Sequence, residues 1–461
     1  ALESSKLDDL ERISTMLFGD LFEGVDDLVT FGGLIPKHGP GAVADKLSSN
    51  GKWNQRTWPA RLQQYFYAEE FLSCNLRPER VESLKEELHV LEPGAEIPVR
   101  VITVPKTLKS PRIIAIEPTA MQYAQQSLYR AIVDGVLEDG ILSSMIGFTD
   151  QEPNRQMAQE GSHSGELATL DLSEASDRVS NEHVLALTRG WPILQEAIQA
   201  CRSRKAHVPN HGVIRLAKYA SMGSALCFPL EAMVFLTVIL LGIERELSAP
   251  FSCKADVTRF CKQVRVFGDD LIVPTRHVHT VVRELEAFGF RVNSSKSFWT
   301  GRFRESCGRM YYDGQDVSNV KVRRVLPTRL QDVNEVESAV AFRNLAYQSG
   351  LWQTARWMDD YLGRVLQYWP NVASTSSLLG RVSFLGYEYQ GLDPNTHGPL
   401  TTGHYVRAEF PIDRLDGEGA LLKCLMPHYP SMDLEDIGAE REGLTSLTAL
   451  PRVDEEHLER S

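Results

Sequence analysis

Three carboxylates stand where like charge is costly unless something positive compensates it. Asp171 ends the β-type run 167–172, and Asp269-Asp270 sit at the centre of Val264-Arg-Val-Phe-Gly-Asp-Asp-Leu-Ile-Val273, two β-rich halves around a Gly-Asp turn. Carboxylates a few ångströms apart raise each other's pKa. Mg²⁺ or Mn²⁺ resolves the repulsion, because hard cations take carboxylate oxygens, and two ions about 3.5–4 Å apart clamp an in-line phosphoryl transfer. Gly-Asp-Asp alone is also ordinary turn chemistry. The surrounding segments favour the metal reading.

Four segments surround this set in order. Residues 97–116 hold Arg100, Lys106, Lys109 and Arg112 and no acid, a fixed positive loop suited to a triphosphate and its pyrophosphate leaving group. Asp171-Leu-Ser-Glu-Ala-Ser-Asp177 places a second carboxylate six residues after the first. Ala220-Ser-Met-Gly-Ser-Ala225 offers small residues, with Ser221 and Gly223, where backbone can approach a ligand closely. Asn293-Ser-Ser-Lys-Ser-Phe298 carries Lys296, a candidate proton donor, and Phe303-Arg-Glu-Ser-Cys-Gly308 follows. A solvated loop and a surface lysine are the plain alternatives for the first and last.

The elements that must position these residues alternate in type. The first ninety residues pattern mainly as helix, with a Gly/Pro break at 37–42 and helical spacing returning over 63–91. Strand-like runs at 99–104 and 112–116 flank the basic loop, and a helix follows over about 121–137. The polar stretch 147–164 reads as a loop before the strand at 167–172. After the hairpin, the pattern predicts a helix over 278–288, a strand at 290–293, and mainly helix from about 325 onward. Strands interleaved with long helices imply an α+β or α/β core with helical additions.

The 461 residues include 61 acidic and 49 basic side chains, a formal charge of −12, which at first sight argues against a protein that grips nucleic acid. The acidity is concentrated at the ends. Residues 1–30 and 431–461 each carry −6, while residues 31–430 hold 44 acids and 44 bases. Bases gather locally: five and no acid in 202–218, seven against three acids in 301–330. Attraction to a phosphate backbone is set within a Debye length, about 10 Å at 0.1 M salt, so local clusters outweigh the total. The ordinary composition excludes collagen-like, disordered and disulfide-scaffold classes. Seven cysteines without a C-x-x-C pair read as reduced, mostly buried thiols rather than a zinc site. The opening residues show no signal-peptide pattern. The apolar run 225–243 contains Pro229 and Glu231 and is expected as a buried helix rather than a membrane span.

The ordered motifs resemble those of viral RNA-dependent RNA polymerases, and more narrowly the replicases of positive-strand RNA bacteriophages, the leviviruses. Five motifs over about 97–325 carry the likeness: Thr103-Val-Pro-Lys with Arg112-Ile-Ile-Ala-Ile-Glu-Pro118, Leu167 to Asp177, Ser221-Met-Gly223, Phe267-Gly-Asp-Asp270 and Gly301 to Gly308. The resemblance implies an α+β right-hand fold of fingers, palm and thumb, with an antiparallel palm sheet flanked by helices. It implies an N-terminal helical region bridging fingers and thumb (1–95), fingers with the basic nucleotide-loading loop (96–165), a palm (166–310, finger insertion about 186–219) and a thumb with helical C-terminal region and acidic tail (311–461). Asp171, Asp269 and Asp270 would be ligands of two Mg²⁺ ions, with Mn²⁺ able to substitute. Lys106, Lys109 and Arg112 would contact nucleotide phosphates. Asp177, Ser221 and Gly223 would lie near the ribose, and Lys296 would protonate pyrophosphate.

The partners implied are RNA template and product, NTPs and host translation proteins (elongation factors Tu and Ts and a ribosomal protein), with no membrane, in the cytoplasm of an infected bacterium. Many such polymerases place Thr and Asn four and eight residues after the motif glycine, where this chain has Cys227 and Glu231. Sugar selection therefore cannot rest on an Asn here. A reverse transcriptase is the alternative enzyme, disfavoured by Asp177 and the small 221–224 loop. A catalytically inactive RNA-binding subunit is disfavoured by the intact carboxylates.

Overall fold

The structure, a computed structural model, describes residues 3–73, 86–105, 111–395, 397–408, 417–425 and 447–450. Its core is organised around the helix Cys227–Leu247, buried continuously from Pro229 to Glu244. Among the described residues it is the one helix long and apolar enough to cross a membrane, yet 94% of that apolar window is covered by protein, as expected for a core helix. The long helix Ser4–Thr30 packs on it and on its neighbours, burying Leu10, Ile13, Leu17, Phe18, Leu21, Phe22 and Val25 at the three- and four-residue spacing of an amphipathic stripe. Burying each such side chain stabilises by about 1.5–3 kcal/mol. The helices Thr119–Glu138, Asn181–Leu187 and Pro192–Cys201 complete this layer.

Against the core lies a three-stranded antiparallel sheet in the order Leu167–Asp171, Asp270–Pro274, Arg265–Phe267. The predicted hairpin is present, with Gly268 and Asp269 as its two-residue turn. Gly268 takes φ +57, and a Cβ there would stand 2.6 Å from the Phe228 ring, so glycine satisfies both the turn and the packing. A second sheet runs Pro111–Ile116, Val99–Pro105, Lys205–Val208, Gly212–Arg215, joining the predicted strands around the basic loop to a hairpin from the 202–218 cluster. The fold class is α+β.

Several expectations are corrected. The polar stretch 147–164 is a helix over Glu152–Ser164: Asp150 accepts from the Glu152 N–H, Pro153 occupies the first turn, and Gly165 closes it at φ +78. Its buried residues are Asn154, Ala158, Gly161 and Ser162, too polar to show an apolar period. Within 63–91, Ala68–Ser73 and residues 86–87 are helical, 74–85 lie outside the described residues, and His89–Leu91 is a strand paired in parallel with Thr57–Pro59. The expected strand at 290–293 is reduced to a single bridge, Leu172 to Val292. After 325, helix among the described residues is confined to Val333–Gln348, Trp352–Leu366 and Glu418–Leu425, while 409–416, 426–446 and 451–461 lie outside them; the described part of 370–408 holds short strands, because Gly380, Gly386, Gly391, Gly398 and Gly403, with prolines at 370, 394 and 399, interrupt any helical run. Cys201, Cys227 and Cys307 are buried free thiols, but Cys253 and Cys424 are exposed.

By its contacts the chain divides into two compact units. One comprises residues 1–103, 113–318 and 413–441 and contains the three-stranded sheet and buried helix. The other comprises 104–112, 319–412 and 442–461; in it Val336, Val340, Met358, Leu362 and Leu366 form a small core, and Arg343 makes paired 2.8 Å bonds to Asp359.

Candidate active site

The carboxylates come together through strand register. Asp171 is the last residue of its strand and lies directly opposite Asp270, the first residue of the central strand, with Asp269 beside it on the exposed turn. Burial chiefly, then the charges of Asp269 and Asp171, pushes the Asp270 carboxyl up to about 7, against hydrogen bonding from Cys307. Cys307 occupies the first turn position of the hairpin formed by Phe303–Ser306 and Arg309–Tyr312, at φ +47, followed by Gly308 at φ +73. That late motif therefore backs the carboxylate hairpin directly.

A fourth acid belongs to this neighbourhood. Glu231, on the first turns of the buried helix, is held well above its ordinary carboxyl range by burial and by the charges of Asp269 and Asp177, with the Cys227 thiol 3.9 Å from Oε2. The sequence count singled out both residues as departures; the fold turns them toward each other.

Asp171 is held from the segment 292–298, which runs beside its strand. The Asn293 N–H donates to the Asp171 carbonyl at 2.8 Å, and Asn293 Nδ2 donates to Asp171 Oδ2 at 2.9 Å. The Asp171 N–H donates to Ser297 Oγ at 3.1 Å. Lys296 Nζ stands 4.0 Å from Asp171 Oδ2 on a half-exposed side chain. Asn293 and Ser297 were not picked out as site residues, since nothing in a 122-residue separation signals the contact.

The remaining expected residues are placed unevenly. Asp177 is exposed and forms an ion pair with Lys218. Ser221 is buried, and Gly223 takes φ +122 with its absent Cβ only 2.1 Å from the Ala115 carbonyl oxygen. The Ala115 N–H donates to Met222 O at 2.8 Å, so the Ser-Met-Gly loop is pressed onto the strand Pro111–Ile116. Gln125 Oε1 then accepts from Ser224 Oγ at 3.0 Å and from the Ala225 N–H at 3.1 Å. Arg112 is exposed on its strand, while Lys106 and Lys109 lie outside the described residues.

The donors fit a hard divalent cation: they are carboxylate oxygens only, and burial, with the charges of Asp269 and Asp171 adding to it, already lifts Asp270. Among the described residues no group of three His, Cys, Asp or Glu side chains is set closely enough to hold a metal ion by itself. Mg²⁺ is commonly held by one or two carboxylates together with substrate phosphates, and a facing pair with a third acid on the turn matches that requirement.

Comparison with known proteins agrees with the motif reading. The family described as RNA replicase, beta-chain, matches residues 95–353. The RNA-directed RNA polymerase subunit beta of Escherichia virus Qbeta is 35% identical over 225 residues, covering 49% of this chain and 35% of the relative. The RNA-directed RNA polymerase beta chain of Enterobacteria phage fr is 34% identical over 224 residues, covering 49% of this chain and 37% of the relative. The matches thus span little more than a third of those relatives' length. Among solved structures, the RNA-dependent RNA polymerase from bacteriophage phi12 aligns with a TM-score of 0.48 at 12% identity, over 79% of this chain and 66% of that one. The family match takes in the basic strands, both carboxylate motifs and the Cys307 hairpin, more than half of the sequence, and the chain belongs to the RNA replicase beta-chain family.

Proposed function

We propose that this chain carries out RNA-templated RNA synthesis from NTPs, replicating and transcribing a phage genome without a primer. The observation that supports it best is the register that sets Asp171 opposite Asp270, with Asp269 on the adjoining turn, in a chain of the RNA replicase beta-chain family. Two divalent cations bound by these carboxylates and the NTP phosphates would supply activation of the 3′-hydroxyl and neutralisation of the leaving pyrophosphate. The chain's own groups do the rest. Asp171, Asp269 and Asp270 supply the ligand oxygens, and Lys296, close to Asp171, delivers a proton to the departing pyrophosphate. Lys106, Lys109 and Arg112 bind nucleotide phosphates, and the Ser221–Gly223 loop receives the ribose. Asp177, whose partner here is Lys218, contributes to sugar recognition by exchanging that ion pair for the nucleotide.

In this reading residues 96–165 are fingers, 166–310 palm with a finger insertion at about 186–219, and 311–461 thumb and tail, with 1–95 bridging fingers and thumb. The proposed partners are RNA template and product and the host's elongation factors Tu and Ts and a ribosomal protein, in the bacterial cytoplasm.

The test is templated NTP incorporation by the purified protein, with and without host extract, beside Asp269→Asn. Loss of a ligand charge is expected to lower incorporation at least about 10²-fold while the melting curve is retained. Near-normal synthesis by folded Asp269→Asn would sink the two-metal assignment. Preference for dNTPs would favour a reverse transcriptase, and absence of any Mg²⁺- or Mn²⁺-dependent product a non-catalytic subunit.

A further inference from the structure

We infer that Asn293 is a positioning residue for Asp171, setting which carboxylate oxygen faces a bound cation and how tightly the cation is held. The inference rests on the metal-dependent reading above and adds to it a residue outside the carboxylate set.

The geometry has three parts. Asn293 opens a tight turn in which the Lys296 N–H donates to the Asn293 carbonyl at 3.0 Å. Inside that turn Asn293 Oδ1 accepts from the Ser295 N–H at 3.3 Å and from Ser295 Oγ at 2.8 Å, the Asx arrangement that asparagine favours. The Ser295 N–H on one side and the Asp171 carboxylate on the other settle the orientation of the amide, because the reversed rotamer would set N–H against N–H and oxygen against carboxylate oxygen. Nδ2 is thereby turned to Asp171 Oδ2, at 2.9 Å. The Asn293 N–H anchors the same residue's carbonyl at 2.8 Å, so side chain and backbone are gripped together.

The consequence is asymmetry within one carboxylate. Asn293 and Lys296 both approach Oδ2. Among the described residues Oδ1 has no hydrogen-bond partner, which leaves it as the oxygen presented to a ligand. A carboxylate with one oxygen already tethered loses less rotational freedom on binding a cation, and hydrogen-bonded partners behind ligating groups commonly matter by ten- to a hundredfold in affinity. Asparagine suits the position better than aspartate, which would set a second anion against Oδ2, or alanine, which would keep the backbone bonds but release Asp171 Oδ2.

The test uses the full chain and Mn²⁺ alone, following free Mn²⁺ by electron paramagnetic resonance, with Asp171→Asn as reference. Asn293→Ala is expected to weaken Mn²⁺ binding by about tenfold. In templated synthesis it should raise the Mg²⁺ concentration for half-maximal rate by a similar factor, with most of the rate recovered at saturating metal. A merely structural role would lower melting temperature and rate without moving the metal dependence. Ser295→Ala, at an exposed position, removes one of the two donors to Oδ1 and should shift Mn²⁺ affinity in the same sense by about two- to threefold; it carries the test if Asn293→Ala fails to fold. Wild-type Mn²⁺ affinity in folded Asn293→Ala and in Ser295→Ala, alongside weakened binding in Asp171→Asn, overturns the inference alone. Unchanged binding in Asp171→Asn overturns the metal reading and the inference with it.

Discussion

Gly223→Ala places the smallest side chain where the fold leaves no room for one. At φ +122 an L-residue is strained by about 1–3 kcal/mol. The new Cβ would also stand 2.1 Å from the Ala115 carbonyl oxygen and 3.1 Å from its carbon, backbone atoms that cannot swing aside. Moving Ala115 away strains its 2.8 Å bond to Met222 O, worth about 0.5–1.5 kcal/mol. The sum is about 2–4 kcal/mol, concentrated in the Ser-Met-Gly loop. Displacement passes to Ser224 and Ala225, which share Gln125 Oε1, and so to the start of the helix bearing Glu231. Gly301→Ala is the control: φ +63 with no atom within 4 Å of its Cβ, a conformational penalty of about 1–2 kcal/mol without crowding. Thermal melts should show Gly223→Ala roughly twice as destabilised as Gly301→Ala. Steady-state NTP incorporation should fall about tenfold or more for Gly223→Ala, since about 1.4 kcal/mol at the site is a tenfold rate effect. Equal melting shifts for the two variants, or wild-type kcat/KM in Gly223→Ala, would refute the close-approach reasoning.

Arg112→Ala should chiefly raise the KM for NTPs, by about tenfold for one charge-assisted phosphate contact, with little change in melting; an unchanged KM and rate would remove the basic strand from nucleotide binding. His183 supplies a pH test. Its Nδ1 accepts from the Ser180 N–H and its Nε2 lies 3.1 Å from Phe288 O, so the buried ring is fixed as the neutral Nε2–H form, and burial lowers its pKa from 6.5 to about 4. A depressed folded-state value means stability fully present above pH 6.5 and lost as pH falls toward 4, by up to about 3 kcal/mol. Denaturant melts of wild type and His183→Gln between pH 7 and 4 should show a shallower fall for the variant; parallel curves would exclude His183 as a source of the acid sensitivity.

The parts of the site that were legible are those whose chemistry is local. Val264 to Val273 announces a hairpin because β-branched residues flank a Gly-Asp turn, and the same pairing carries Asp270 to the position opposite Asp171. The apolar helix was legible because length and an interrupting Pro229 and Glu231 distinguish a core element from a span. What stayed hidden depends on distant partners. The helix Glu152–Ser164 has no apolar period, and its buried face is read only against the strands Leu167–Asp171 and Phe303–Ser306. Asn293 looks like a turn residue until the register of 292–298 along Asp171 gives its second amide group a purpose. For Asp177, expected near the ribose, only the fold reveals Lys218 as a neighbour.

The acidic balance also changes meaning once partners are known. On the helix Ser4–Thr30, Asp8 and Glu11 pair with Arg189, Asp9 with Arg245, and Asp20 with Lys254, while Asp26 accepts from the Leu194 N–H. The N-terminal acids therefore staple this helix to the core elements beneath it rather than forming a free anionic arm. Exposed pairs of this kind contribute about 0–1 kcal/mol each, so their value lies in number and in fixing the helix's register. The same accounting thins the basic cluster at 202–218. Arg202 is spent on the carbonyls of Tyr219, Leu216 and Lys218, Lys205 on that of Gly94, and Lys218 on Asp177. Among the described residues Arg204 and Arg215, like Arg112, make no side-chain bond or ion pair. Attraction to an RNA backbone follows net local charge, and Arg202 and Lys205 keep theirs because carbonyls are neutral; within 202–218 only Lys218 is offset by a carboxylate, while Arg204 and Arg215 are free to bond phosphate directly.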